Sequence, residues 1–368
     1  MPEVRALFTF VGGRGHFEPL APIARAAEEA GHEVAFAAGG LSSVVRRAGF
    51  AWFFVAPERP PPPRRPLQGV DMERELRILR ERLFGSVARA RVPAVVELCG
   101  RWRPDVVVCD EADLGSMVAA ERLGLPYAKL IENATGSLIT PESVETALDG
   151  LRHDHAAAPG APLVLSPFPP SLRAVPLPAG AVSLRPWMGA GTAPEWLAGL
   201  DGAVFFTLGT VFNVEAGDLF TRVLAGLRDV GRDVIATVGE ELDPAELGPQ
   251  PPHVHVATFV PLAAALPVCA AVVSHGGSGS LVATLAHGLP SVLLPMGADQ
   301  PGNAERCEAL GVARVLEVLS ATPADVRSAV EGVLGEPSYR RAAEALRDEI
   351  AGLPGPDHAV ARLEALAR

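Results

Sequence analysis

Short apolar runs bounded by glycine, proline or polar turns alternate along this chain with stretches whose apolar residues recur at helical spacing. The first run, residues 4–11, reads as a buried strand; residues 17–30 carry a helical pattern closed by Gly31, and residues 33–38 form a second strand. Strand, helix and strand in that order predict a βαβ unit and a parallel sheet. A third strand at 50–55 precedes residues 57–66, where six of ten residues are proline; a stiff surface loop within the first half is expected there, not a domain linker. Residues 72–102 read as mostly helical with a break at Pro93, after which strand 105–109, helix 114–123 and strand 127–131 extend the sheet. From 132 to 184 the pattern weakens and Pro and Ala accumulate, as in pocket walls and surface loops. A new alternation opens at 203–207 and continues through helix 216–230 and strands 233–238 and 254–258, which puts a boundary near 186–201. Pro354-Gly355-Pro356 then breaks the C-terminal helices and leaves 357–366 as the last one.

The most chemically loaded stretch is 272–306. An apolar run ends at Ser274-His275, passes through Gly276 and Gly277, and resumes at helical spacing (Leu281, Thr284, Leu285) until Gly288-Leu289-Pro290. Glycines let the main chain approach a ligand closely. The free N–H groups around Ser278, Gly279 and Ser280, with the helix dipole, offer roughly half a positive charge to an anion. A diphosphate suits such a turn, with His275 and the hydroxyls of Ser278 and Ser280 as further donors, while Asp299 and Gln300 after the next apolar strand suit sugar hydroxyls. A tight strand-to-helix turn without a ligand is the plain alternative. His, Ser, Asp, Gln and Asn gathered at two successive strand ends argue against it, because ligands collect at those ends in parallel sheets.

Composition narrows the classes. With 368 residues, 48% of them hydrophobic, the chain is able to bury two cores. A formal charge of −11 argues against sequence-independent nucleic-acid binding, which needs clustered cations. The single lysine, Lys129, lies in no Gly-Lys-Ser/Thr, so Asp110-Glu111-Ala112-Asp113 lacks the phosphate loop that a helicase reading demands. The loop Gly12-Gly13-Arg14-Gly15 does not have the G-x-G-x-x-G spacing, which weakens a dehydrogenase reading. Cys99, Cys109, Cys269 and Cys307 show no C-x-x-C spacing and read as reduced core residues of a cytoplasmic protein; zinc, a leader peptide and a membrane span are not expected.

Residues 275–280 (H-G-G-S-G-S), then Gly288-Leu289-Pro290, then 295–304 (P-M-G-A-D-Q-P-G-N-A) resemble the nucleotide-sugar signature of the bacterial natural-product glycosyltransferases, relatives of the plant and mammalian glucosyl- and glucuronosyltransferases. Gly15-His16-x-x-Pro19-Leu20, Pro169-Pro170-Ser171-Leu172, Pro194-x-Trp196-Leu197 and Thr207-Leu208-Gly209-Thr210 extend the likeness to most of the chain. The resemblance implies an α/β, GT-B architecture: two Rossmann-like domains facing across a cleft. Residues 1–190 would bind the acceptor, 201–352 the nucleotide sugar, and 353–368 would cross back onto the first domain. It also implies donor contacts at Gly209, Thr210, Gly277 and the aromatic-x-Pro segment Phe259-Val260-Pro261, and acceptor contacts at Gly13, Phe17, Leu83 and Asn133.

The reaction needs a base, because an alcohol attacks an anomeric carbon poorly unless its proton is removed, and histidine is the side chain poised near neutral pH. His16, in a glycine-rich loop between strand and helix, matches the family's catalytic histidine. Asp110, ending P-D-V-V-V-C-D, matches its carboxylate partner and would orient the imidazole. A helix N-cap at Asp110 or Asp113 is the structural alternative, and Glu111 is a second acid within reach. No D-x-D pair stands at a strand end, so His275 and helix-terminal N–H groups would stabilise the leaving diphosphate, and a metal-independent, inverting transfer without cofactor follows. Relatives that use uridine donors carry Glu where this chain has Ala283; losing a grip on the ribose 2′-OH favours a dTDP-sugar. Few charges in 57–85 and 132–170 outside the Arg-rich helix favour an apolar, polyketide-like acceptor. The expected partners are thus a nucleoside-diphosphate sugar and a small apolar aglycone, with no nucleic acid and no membrane span; a homodimer stays open. A nucleotide-sugar epimerase and a non-catalytic GT-B partner protein are the competing classes.

Overall fold

The computed structural model describes residues 3–39, 42–56, 63–187 and 191–368. The chain forms two compact units, one of residues 1–61, 72–187 and 353–368, the other of residues 62–71 and 188–352. Each is an α/β unit built on one parallel sheet.

The first sheet contains β1 (Arg5–Thr9), β2 (Glu33–Gly39), β3 (Ala51–Ala56), β4 (Val106–Asp110), β5 (Tyr127–Leu130), β6 (Leu163–Ser166) and β7 (Val182–Ser183), in the order β3-β2-β1-β4-β5-β6-β7. Its strands pair in parallel throughout. A parallel sheet is covered on both faces, so its central strands are apolar without alternation. Leu7, Val107 and Cys109 enter one core, and Ala6, Phe8, Val106 and Val108 the other. The second sheet contains β8 (Ala203–Thr207), β9 (Val234–Thr237), β10 (Val254–Ala257), β11 (Cys269–Ser274), β12 (Ser291–Leu293) and β13 (Ala313–Val315), in the order β10-β9-β8-β11-β12-β13. In both sheets the strand order reverses, between β1 and β4 and between β8 and β11. In open parallel sheets, ligand-binding crevices form at the C-terminal ends of the strands at such a reversal.

Several sequence expectations change. The first helix is two: a short turn Arg14–Phe17, then Ala21–Glu29. Pro93 does not break its helix; it lies inside Ala88–Trp102, which follows a ten-residue π-helical stretch, Ile78–Val87. The weakly patterned region contains a full helix, Pro141–His155. Its capping box joins Thr140 and Ser143, and Val144, Leu148 and Leu151 are buried at helical spacing. The proline-rich segment does connect the two units. Residues 63–71 belong with the second, where the Arg64 guanidinium meets Glu246 at 2.7 Å and the Arg65 amide donates to the Val214 carbonyl at 2.7 Å. Pro57 to Pro62 lie outside the described residues.

The last helix, Pro356–Leu366, buries Ala359, Val360 and Leu363 in the core of the first unit beside Ile23 and Val34. His32 Nε2 lies 3.0 Å from Glu364 Oε1, and the Arg185 amide donates to the Pro354 carbonyl at 2.7 Å, which fixes the returning chain at both ends.

Candidate active site

In the first unit the loop after β1 turns at Gly12, whose φ of +107° is in the left-handed region. A Cβ there would stand 2.5 Å from His16 Cδ2 and 2.6 Å from Nε2, so the backbone reserves this space for the imidazole. Gly13 caps the short turn, and its carbonyl accepts the His16 amide at 3.1 Å. His16 Nδ1 faces inward, 3.4 Å from Asp110 Oδ2 at the end of β4. The Asp110 carboxylate accepts the amides of Val11 at 2.7 Å and Ala112 at 2.6 Å. It is a fixed acceptor at the reversal point of the sheet. Asp113, not Asp110, is the N-cap of helix Leu114–Leu123, and it pairs with the buried Arg91 at 2.7 Å.

Glu111 turns away from the imidazole. Its Oε1 accepts the amides of Glu132 at 2.8 Å and Asn133 at 2.5 Å and the Asn133 side-chain amide at 2.9 Å. Of the adjacent acids, the one that reaches His16 is therefore Asp110. A residue that the sequence reading missed reaches it as well: Glu132 Oε2 contacts Nδ1 directly. Its signal in the sequence was an acid just past a predicted strand end, next to Asn133. The Asn133 Oδ1 is buried with no hydrogen-bond donor among the described residues.

Burial acts to lower the proton affinity of His16, but the charges of Glu132 and then Asp110 outweigh it and hold the imidazole well above its usual range. Phe17 does not take the acceptor position expected of it. Its ring is buried against Phe10, Phe36 and Phe50, because it follows His16 on a helical turn whose opposite side faces the core. Leu83, on the π-helical stretch, is half-buried and packs against the other core of that unit.

In the second unit His275 follows β11 and lodges between two glycines. A Cβ on Gly209, where φ is +71°, would lie 2.6 Å from its Cε1, and one on Gly277 would lie 2.6 Å from its Nε2. Burial pushes this imidazole down to about 4, so at physiological pH the ring is neutral. Gly277 is the N-cap of helix Ser278–Ala286 and supplies no side-chain acceptor; the first helical amide, Ser278, donates instead to Asp299 Oδ2 at 3.3 Å. Ser280 Oγ donates to the Gly277 carbonyl at 3.0 Å, and Thr210 is exposed just beyond β8.

The pair Asp299-Gln300 serves the protein more than expected. Asp299 Oδ2 accepts the Ser278 hydroxyl, the Ser278 backbone amide at 3.3 Å and the Asn303 side-chain amide at 2.8 Å. Gln300 Oε1 accepts the amides of Met296 at 2.8 Å and Gly297 at 3.2 Å. Ahead of them Ala298 has φ of +51°, an uncommon conformation for a residue with a Cβ, at a typical cost of about 1–3 kcal/mol. The loop is thus held in shape from both sides, and Asp299 is part of the helix N-terminus that it was expected only to neighbour.

Two further donor-side expectations are corrected. The Val260 side chain is buried in the core with Leu266 and Leu289, so any contact it makes with a base is through its backbone; Phe259 beside it is 51% exposed. Ala283 is only 3% exposed, and its methyl packs into that same core.

Residues 221–366 match the erythromycin biosynthesis protein CIII-like C-terminal domain. The chain is 30% identical to the L-demethylnoviosyl transferase of Streptomyces niveus over 369 residues, 96% of this chain and 96% of that protein. It belongs to the GT-B natural-product glycosyltransferases. This glycosyltransferase is also 28% identical to the 10-deoxymethynolide desosaminyltransferase of Streptomyces venezuelae over 416 aligned positions, 99% of this chain and 97% of that one. The spinosyn rhamnosyltransferase SpnG, solved with thymidine diphosphate and with spinosyn aglycone, matches it with a TM-score of 0.84 at 25% identity, covering 98% of this chain and 100% of SpnG. Because these relatives are named sugar transferases, the epimerase and non-catalytic readings lose their ground. Among the described residues of the enzyme, no helix is long and apolar enough to cross a membrane.

Proposed function

We propose that this glycosyltransferase moves a sugar, of the deoxy class, from dTDP to a hydroxyl of an apolar natural-product aglycone, with inversion and without a metal. The observation that carries the reading is His16 itself: Nδ1 is turned to Asp110, at the reversal point of the first sheet, which leaves Nε2 to take a proton from an acceptor hydroxyl. The acceptor oxygen forms its bond to the anomeric carbon as the bond to the diphosphate breaks and the electron pair leaves with the phosphate. A single displacement of this kind inverts the anomeric centre. The glycine-flanked His275 and the amides of Gly279 and Ser280, which follow the Asp299-bound Ser278 at the start of the helix after β11, are suited to the charge that the diphosphate gains.

The dTDP assignment draws on the thymidine diphosphate bound by SpnG, and the apolar acceptor on the aglycone bound by SpnG. All four cysteines are buried and unpaired, which suits a reducing, cytoplasmic setting.

A thermal-shift titration tests donor and metal together. A nucleotide at 100 times its dissociation constant stabilises the fold by about 2.7 kcal/mol, so a tenfold preference separates two melting curves. dTDP is expected to protect better than UDP, and EDTA to leave both protection and turnover unchanged. Greater protection by UDP overturns the nucleotide assignment. His16, Asp110 and Glu132 each offer a ligand-type atom within 4.8 Å of the others, so activity lost to EDTA and restored by magnesium would overturn the metal-free step.

The donor site makes a second prediction. His275→Ala weakens both free nucleoside diphosphate and the sugar nucleotide, by the about 1.5–3 kcal/mol typical of a hydrogen bond to a charged group. Asp299→Ala is expected to weaken both as well, because Asp299 holds Ser278 at the same helix end. Calorimetry with dTDP alone decides the point: undiminished product binding in Asp299→Ala would restore Asp299 to a purely sugar-facing role.

A further inference from the structure

Two carboxylates meet the His16 imidazole, and they are built differently. Asp110 is held by two backbone N–H groups; burial raises its proton affinity, and the His16 imidazole and the Val11 amide act against that rise. Glu132, whose side chain is 7% exposed, has no hydrogen-bond donor among the described residues other than the His16 imidazole, and its Oε2 lies nearer to Nδ1 than Asp110 does. A carboxylate without donors in a dry site is poor at holding its charge alone. Burial, joined by the neighbouring charge of Asp110, pushes Glu132 well above the usual carboxylate range, and only the imidazole acts strongly in the other direction.

The placement of Glu132 is not a loose loop accident. It stands two residues beyond β5, and the backbone that carries it is clamped by Glu111 Oε1 through the Glu132 and Asn133 amides. The Arg173 guanidinium grips the next carbonyls, donating to Asn133 O at 2.6 Å and Ala134 O at 3.3 Å. The consecutive acids at and just beyond the end of β4 thus divide the work: Asp110 receives the imidazole and Glu111 aims the loop that brings the third acid to it.

We propose that Glu132 is a positioning residue that shares a single exchangeable proton with His16, and so sets the pH above which His16 is free to act as the base. The idea rests on His16 being the base that activates the acceptor. When the hydroxyl proton arrives at Nε2, the imidazolium so formed lies against Asp110 and Glu132 together, and transfer of the sugar to the acceptor oxygen proceeds as written above. The other charges near the cluster are paired or opposed. Asp113 acts on Asp110 but is bound to Arg91, and Glu111 is opposed by Lys129 and by Arg173. Removing the Glu132 charge is therefore expected to release the His16 proton at lower pH.

The test is the titration of the His16 ring, followed by NMR in the ligand-free protein and paired with the pH profile of kcat/KM. In Glu132→Gln the His16 midpoint is expected to fall by about one pH unit, a tenfold loss of proton affinity. The acid limb of kcat/KM should move down with it, so the ratio of variant to wild-type activity is about ten times greater below both midpoints than on the alkaline plateau. A midpoint that stays in place overturns the shared proton, whatever happens to the rate. If Glu132→Gln does not fold, Glu132→Asp carries the same test, with a smaller downward shift expected and an unmoved midpoint again decisive. A midpoint that falls while turnover shows no dependence on His16 leaves the shared proton standing and overturns the base assignment instead, so the two ideas fail separately.

Discussion

In His16→Ala, turnover falls by roughly 10²–10⁴, the range for loss of a general base, while the affinity for dTDP is unchanged. The split is expected because His16 belongs to the first sheet's reversal point, whereas the diphosphate site proposed at His275 is built on the second sheet. Steady-state rates with saturating donor, together with calorimetry of dTDP, measure the two effects separately. Activity within threefold of wild type would remove His16 from the mechanism. Asp110→Asn is expected to be milder than His16→Ala, since the amide still accepts one backbone N–H and the Glu132 carboxylate remains against the ring. Glu111→Gln is milder again, because all of its contacts use a single oxygen that an amide also supplies.

The second large effect comes from a residue with no chemistry of its own. Gly12→Ala places a Cβ 2.5 Å from His16 Cδ2 at a φ of +107°, so either the ring or the loop has to move. Displacement of a reacting group by about 1 Å can cost on the order of 10²-fold in rate, and that loss is expected here with donor affinity retained. Gly15→Ala is the control for folding, because a Cβ at that position meets nothing within 4 Å. A Gly12→Ala enzyme with normal kcat would show that the imidazole reaches its working position by another route.

The parts of this enzyme that were readable in its sequence are those written in local backbone chemistry. A strand, two glycines and a helix start are contiguous signals, so the turn at His275 and the loop of His16 could both be located before any fold was known. Facing was harder. Phe17, Val260 and Ala283 each lie within or beside a recognisable motif, yet each points into a core, because which side of a short helix or loop looks inward is decided by the layer packed against it. Glu132 was hidden for a related reason. Its importance comes from β5 lying beside β4, a pairing between segments whose sequences do not announce each other. Helix Pro141–His155 was legible in principle through its Thr140-Pro141 start and its buried Val144, Leu148 and Leu151, but the surrounding prolines and alanines masked that period. Pro93 misled in the opposite direction, since a proline within an otherwise helical run was tolerated without a break.

The closing helix has a consequence for how the molecule comes into being. Because Ala359, Val360 and Leu363 complete the core begun by Ile23 and Val34, the unit whose synthesis starts first is the one finished last. Residues 188–352 are made in between, and at about 5–20 residues per second the early sheet waits on the order of ten to thirty seconds for its final apolar cover. By the end of that interval the whole sequence of the later unit has been made, before the last helix of the first unit exists. Cutting the gene at residue 187 would therefore leave the first unit permanently in its unfinished state, with an apolar strip exposed where the last helix belongs.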